Sequence, residues 1–194
     1  MNDADVIIRR FDKRDREAVR RIAFNTAFMG DPASVFFESE KIICDLLTLY
    51  YTDYEPQSCF VAETHQRVIG SLTGAKNKAI SENFIAAKLL LPIFWYALKA
   101  GVFLKKKNFI LTFNLLASVL KNEFKMPDFS KEYTATLHIN IEKAYRGFNI
   151  GARLIAAYSE YLAKENIPGL HLATMSVEAG KFFFGQGFTL LYSG

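Results

Sequence analysis

The sequence predicts one α/β domain built on a mixed sheet, and three observations carry that expectation. Short β-rich runs alternate with runs of helical period along the whole chain. No Pro/Gly/Ser-rich linker or low-complexity tract divides the 194 residues, so residues 1–194 are read as a single domain. Apolar residues make up 51% and charged residues 23%, a balance that excludes a disordered chain and fits a globular one.

The first run, Asp5 to Arg9, reads as a strand. Asp12 follows as a candidate N-cap before a helix that places Val19, Ile22, Ala23 and Thr26 on one face. Met29-Gly30-Asp31-Pro32 ends that helix. Ile42, Ile43, Leu46, Leu47 and Leu49 then recur at helical spacing up to Tyr50-Tyr51. Cys59 to Glu63 and Val68 to Thr73 are strand-like and flank a polar turn, which makes a hairpin. Tyr133 to Ile141 alternates, with Leu137, Ile139 and Ile141 on one face and His138 and Asn140 on the other. A helix is expected from Gly151 to Lys164, a strand from Leu170 to Thr174, a short helix from Val177 to Phe184 and a last strand from Phe188 to Tyr192. That last run would form an exposed edge.

Cysteine and histidine usage excludes several classes. Cys44 and Cys59 cannot form a disulfide framework, and the chain starts with the polar run Met1 to Asp5, so a cytoplasmic location is expected. His65, His138 and His171 are scattered, and neither cysteine has a partner at zinc-like spacing; no metal is expected.

The chemistry concentrates in the turn between the alternating strand and the following helix. Arg146-Gly147-Phe148-Asn149-Ile150-Gly151-Ala152 is rich in small residues, so a ligand can approach its backbone. It opens a helix, and a helix N-terminus offers unpaired N–H groups and the positive end of the macrodipole, which suits a pyrophosphate. Arg146 adds charge.

From Ile141 to Gly151 the sequence resembles the acetyl-CoA signature of the GNAT N-acetyltransferase superfamily, R/Q-x-x-G-x-G/A, with Arg146, Asn149 and Gly151 at the fixed positions and Asn149 in place of the usual glycine. Ala179 to Phe188 resembles that superfamily's second signature, A-x-x-x-Y-x-x-x-G-F. Leu137 to Ile141 with Gly169 to Leu172 is also similar to a bacterial subgroup akin to the acetyltransferase-like domain of O-GlcNAc hydrolases. The resemblance implies a GNAT-like mixed sheet flanked by helices, and acetyl transfer from acetyl-CoA to an amine of a small-molecule or peptide acceptor by direct attack. It implies a coenzyme held by the main chain near Ile139 and Ile141, by the turn from Arg146 to Ala152, and by Ser176 and Phe183. Phe183 stands where the superfamily has a tyrosine that protonates the leaving thiolate. A phenyl ring cannot do this, so a non-catalytic CoA-binding module of the same fold is the alternative.

For the base, His138 is the first choice because its pKa lies near neutrality and it sits beside the expected thioester. Asn140 and His171 would complete a polar cluster on adjacent strands. Glu142, Glu55 and Asp31 are the carboxylate alternatives, and satisfied core groups are the structural one.

Residues 76–125 have no counterpart in the resemblance and read as a helical insertion between the third and fourth strands, holding two extra helices. Nine lysines against Glu82 and Glu123 give it +7, against +4 for the whole chain. Lys88 and Lys99 would put charge in mid-membrane at about 3 kcal/mol each, so no transmembrane span is expected. Lys88, Lys99 and Lys106 are expected on one stripe of a helix otherwise covered by protein. A lid over the acceptor side, a dimer interface and an interfacial membrane contact all remain open. Nucleic acid is not expected, because the basic residues are interleaved with aliphatics. A homodimer is expected to bury either the C-terminal edge or the apolar face of the 84–120 helices.

Overall fold

A computed structural model describes residues 5–121 and 127–193 of the chain. Glu123 and Lys125 of the basic insertion, with most of the polar start and the final glycine, lie outside the described residues. Five strands run β1 (Ile7–Arg10), β2 (Cys59–Thr64), β3 (Arg67–Ala75), β4 (Ala135–Ile141) and β5 (Leu170–His171), and they lie in that spatial order. β1 to β4 pair antiparallel and β5 joins β4 in parallel, which makes the expected mixed sheet. The helices are α1 (Arg16–Thr26), α2 (Glu40–Leu49), α3 (Lys78–Phe84), α4 (Leu90–Lys99), α5 (Lys106–Leu120), α6 (Ile150–Lys164) and α7 (Val177–Gly185).

The alternation in β4 divides the core. Leu137, Ile139 and Ile141 join Phe60, Leu72, Leu154 and Tyr158 in the larger apolar cluster, which lies between the sheet and α6. On the other face Val19 and Ile22 of α1 pack on Val61 and Val68. The Tyr158 hydroxyl lies 3.1 Å from the carbonyl oxygens of both Ala75 and Thr136, so it ties α6 to the ends of β3 and β4. Gly74 makes room for it, since a Cβ there would stand 2.4 Å from the phenol ring.

Four expectations are corrected, three of them along the chain. The run from Leu170 to Thr174 is a strand only at Leu170 and His171, because β5 turns away from β4 after two pairs. The run from Phe188 to Tyr192 forms no strand, so the C-terminal edge proposed for pairing with a second copy is not made. Lys106 does not share a helix with Lys88 and Lys99: Gly101, at φ 61°, takes the left-handed conformation and stops α4, and α5 starts afresh at Lys106.

The insertion lies between β3 and β4 as expected. α3 and α4 form one rod joined by a π-helical turn, Ile85–Leu89, and α5 is the second rod. Phe84 and Ile85 pack beside Tyr50, Tyr51, Cys59 and Ala75, while Ile93, Ala97, Val102 and Leu111 pack with Phe37, Ile42 and Leu46. The opposite sides of α4 and α5 face solvent, contrary to the expectation of a helix covered on most sides.

Candidate functional site: the gap between β4 and β5

The departure of β5 from β4 opens a V-shaped gap. Ala135 N–H donates to the Gly169 carbonyl at 3.0 Å, and pairing ends one residue later at Thr136 opposite His171. The two-residue alternation of a strand then turns the N–H and C=O groups of Leu137 and Ile139 to that same side, into the gap. A cavity of about 210 Å³ fills it. Leu137, His138, Ile139 and Asn140 line one wall, and Leu172, Ala173, Thr174, Ala179 and Phe183 line the other. Thr26 and Ala27 of the α1 end and Leu47 of α2 close the third side, so the cavity passes from one face of the sheet to the other.

His138 opens on this cavity. Solvent reaches the ring through it, while protein atoms surround the ring deeply enough that desolvation lowers its pKa below the ordinary 6.5. Tyr51 packs edge-on against the imidazole, with 5.8 Å between ring centroids, and burial holds the Tyr51 phenol up at about 12. An imidazole so placed is neutral at pH 7 and can accept a proton.

Asn140 is fixed by Thr26. Thr26 Oγ1 lies 2.8 Å from both the Ile22 carbonyl oxygen and Asn140 Oδ1, yet it has one proton to give. The proton goes to one of these acceptors at a time, and the contact ties Asn140 to the end of α1. His171 is on the same face by register, but its Nδ1 is turned to the Tyr133 carbonyl and the ring stands apart from the cavity lining. The structure therefore gathers His138 and Asn140 and leaves His171 at the root of the gap.

The expected coenzyme turn lies at the far end of β4. Asn149 takes the left-handed conformation, φ 56°, and Gly147 does so at φ 85°. Asn149 gives α6 no side-chain cap, so the first N–H groups of the helix point outward without a side-chain partner. A Cβ at Gly147 would meet nothing within 4 Å, leaving open space above the turn. Ile150 is core, and Gly151 is buried with no room for a side chain, since a Cβ there would lie 2.8 Å from the Phe182 ring. Phe148 and the small Ala152 complete the turn at the start of α6. Arg146 is folded back, its Nε donating to the Ile141 carbonyl at 3.1 Å and one Nη to the Gly30 carbonyl at 2.9 Å. It clips the loop after α1 to the turn, and its charge stays at the mouth. Ser176 caps α7, accepting from Ala179 N–H at 3.2 Å.

No family model and no curated protein sequence matches the chain. Solved structures do match. The SsHAT crystal structure superposes with a TM-score of 0.74 at 21% identity, covering 95% of this chain and 91% of that one. An agmatine N-acetyltransferase mutant in its apo form gives a TM-score of 0.57 at 18% identity over 97% of this chain and 84% of that one. A polyamine N-acetyltransferase of Drosophila melanogaster gives 0.56 at 14% identity over 97% and 85%. This chain has the fold of the GNAT acetyltransferases.

The segment from Ala179 to Phe188 starts in α7 and runs into the turn after it. Phe183 is buried, lines the cavity and packs edge-on against Phe182 and Phe188, each with 5.3 Å between ring centroids. The carboxylate alternatives are all engaged elsewhere. Glu55 is buried and accepts from the Tyr50 hydroxyl, the Ser58 hydroxyl and Lys76 N–H. Glu142 bridges Arg21 and Arg67 at 3.1 and 2.7 Å, and Asp31 lies on an exposed loop 3.9 Å from Lys143. Sequence reasoning put Thr26 on a helix face without a site role and missed Tyr51 there; the first touches Asn140 and the second His138. The signal for Tyr51 was hidden, because it lies in a π-helical turn, Tyr50–Tyr54, whose period no amphipathic pattern reveals.

Proposed function

We propose that this chain transfers an acetyl group from acetyl-CoA to an amine by direct attack, with His138 as the base. The observation that supports this most is the gap itself: β4 and β5 part beside an uncapped α6, and His138 opens on the cavity between them. The residues fit the coenzyme. Gly147, Phe148, Asn149, Ile150, Gly151 and Ala152 would hold its pyrophosphate through main-chain N–H groups, with Arg146 adding charge. The main chain of Ile139 and Ile141, with Leu137 beside them, would hold the pantetheine arm, and Ile139 N–H would donate to the oxygen that gains charge as the amine attacks. Acetyl-CoA supplies the acetyl group as an activated thioester.

The chain's own part is positioning and proton transfer. His138, neutral at pH 7, takes the proton from the attacking nitrogen, and Asn140 is held by Thr26 beside the same space. Ser176 sets the start of α7, which carries Phe183 into the cavity wall. Phe183 has no proton to give, so the departing thiolate is protonated by water; with a pKa near 8.5 it is a fairly good leaving group. His171, through Tyr133, fixes where β5 leaves β4 and acts on position only. Agmatine and polyamine N-acetyltransferases share this fold, which supports an amine as the acceptor class.

Calorimetry with acetyl-CoA tests the first half: wild type should bind, and Gly151→Trp, which crowds Phe182, should not. Absence of binding by the wild type sinks the reading. Thiol release with a panel of amines tests the second half. Tight binding of CoA with no turnover on any amine would instead favour the non-catalytic module, as Phe183 allows.

A further inference from the structure

α4 and α5 carry apolar faces that none of the described residues covers. On α4, Leu91, Phe94, Trp95 and Leu98 lie within two turns on the side opposite buried Leu89 and Ala97 and half-buried Ile93; Trp95 is 55% exposed and Leu91 62%. On α5, Phe109, Phe113, Leu116 and Leu120 follow at spacings of four, three and four, and all four are more than half exposed. Phe109 and Phe113 stack at 6.5 Å between centroids. A soluble domain seldom shows solvent so much contiguous aromatic and aliphatic surface without a partner.

Charge identifies the partner. The forty residues from Asn83 to Asn122 hold six lysines and neither an acidic residue nor an arginine. Lys88 lies one turn from Leu91, and Lys99 one turn from Trp95, so these charges border the apolar face of α4. Lys105, Lys106 and Lys107 crowd the N-terminus of α5, where the helix dipole is already positive and no acidic residue occupies the first turn. Lys105 has Glu38 at 3.3 Å, while among the described residues neither Lys88, Lys99 nor Lys106 is in an ion pair. That concentration of like charge costs free energy in the isolated chain and is relieved by phosphate groups. A second copy docked face to face would do the reverse, because a two-fold interface sets this lysine-bordered patch against its own copy and adds positive charge to positive charge. Aromatic and leucine side chains bordered by lysines match the interface of an anionic bilayer, and no helix among the described residues is long and apolar enough to cross one.

We propose that the solvent-facing sides of α4 and α5 seat on an anionic lipid surface, with Trp95 and its apolar neighbours entering the interface and Lys88, Lys99 and Lys106 meeting the head groups. This does not depend on the acyl-transfer reading. Trp95 is the only tryptophan in the chain, so its fluorescence reports the contact directly.

The test titrates the full chain with phosphatidylcholine vesicles, with and without about a third phosphatidylserine. It records Trp95 emission and co-sedimentation. The anionic vesicles should shift the emission to the blue and carry the protein down, and the neutral ones should do so far less. Lys88→Ala and Lys99→Ala should each weaken the partition about fivefold. Leu91→Asp, at an exposed position that leaves the fold intact, should weaken it more than tenfold. Three results would overturn the proposal: the same emission with both vesicle types, a partition indifferent to the lysine changes, or a lipid-free dimer at low salt whose Trp95 emission is already blue.

Discussion

His138 carries the largest consequences of any single side chain. Removing it as His138→Ala should lower kcat by about 10²- to 10⁴-fold, the usual worth of a positioned base, and change acetyl-CoA affinity little. The wild-type kcat/KM should rise with pH along a limb whose midpoint lies below 6.5, because desolvation depresses this imidazole. That limb should vanish in His138→Gln; if the variant keeps it, the base is elsewhere. The same depression has a stability sign. The unfolded chain binds the proton at the ordinary 6.5 and the folded chain only at lower pH, so this contribution is complete above 6.5 and is lost as pH falls below it. Wild type should therefore lose melting temperature between pH 6.5 and 5 more steeply than His138→Gln does. Thr26→Val tests the neighbour: without its oxygen Asn140 loses its anchor, and the rate should fall while thermal stability drops by about 1–3 kcal/mol. A rate unchanged alongside that loss would leave Asn140 a purely structural group.

At the scale of the element, two close approaches decide whether the site keeps its shape. Gly151 lets α6 lie against Phe182 of α7, so Gly151→Ala should destabilise the chain by about 1–3 kcal/mol, and Phe182→Leu should restore most of it. No rescue in a double-mutant cycle would show that the glycine serves something other than this packing. Gly74 and Tyr158 make the same arrangement where β3 and β4 meet α6. The sequence made much of this readable and some of it not. The alternation of Leu137, Ile139 and Ile141 against His138 and Asn140 survives intact, because one face of β4 meets α6 and the other the cavity. The strand at Leu170 is shorter than its β-rich run, which extends to Thr174 but pairs at only two residues, because the divergence from β4 depends on the third dimension. Arg146 and Gly151 lie in the turn before α6 as the sequence places them, but their use in the fold, clipping Gly30 and seating Phe182, depends on contacts distant in sequence. The end of the lysine stripe at Gly101 was signalled by a glycine that periodicity alone passed over.

Over the whole molecule, charge and apolar surface are divided unevenly, and that division sets how copies of the chain meet. The 76–125 segment holds +7 while the whole chain holds +4, so everything else is slightly acidic. The exposed faces of α4 and α5 would gain by burial against each other across two copies, at roughly 25 cal/mol for each Å² removed from water. The same contact would set the lysines bordering one face near those of the other copy. At 0.1 M salt the screening length is about 10 Å, so this repulsion is felt in full; at 1 M it is about 3 Å and fades, while apolar burial is not weakened. The chain should therefore sediment as a monomer at about 0.05 M salt and associate increasingly as salt rises. Lys88→Glu with Lys99→Glu should move association to lower salt, and Phe113→Asp should abolish it throughout. Association strongest at low salt would reverse this account, for it would mean that the acidic remainder of one copy meets the basic helices of the next, a head-to-tail contact in which the apolar faces play no part.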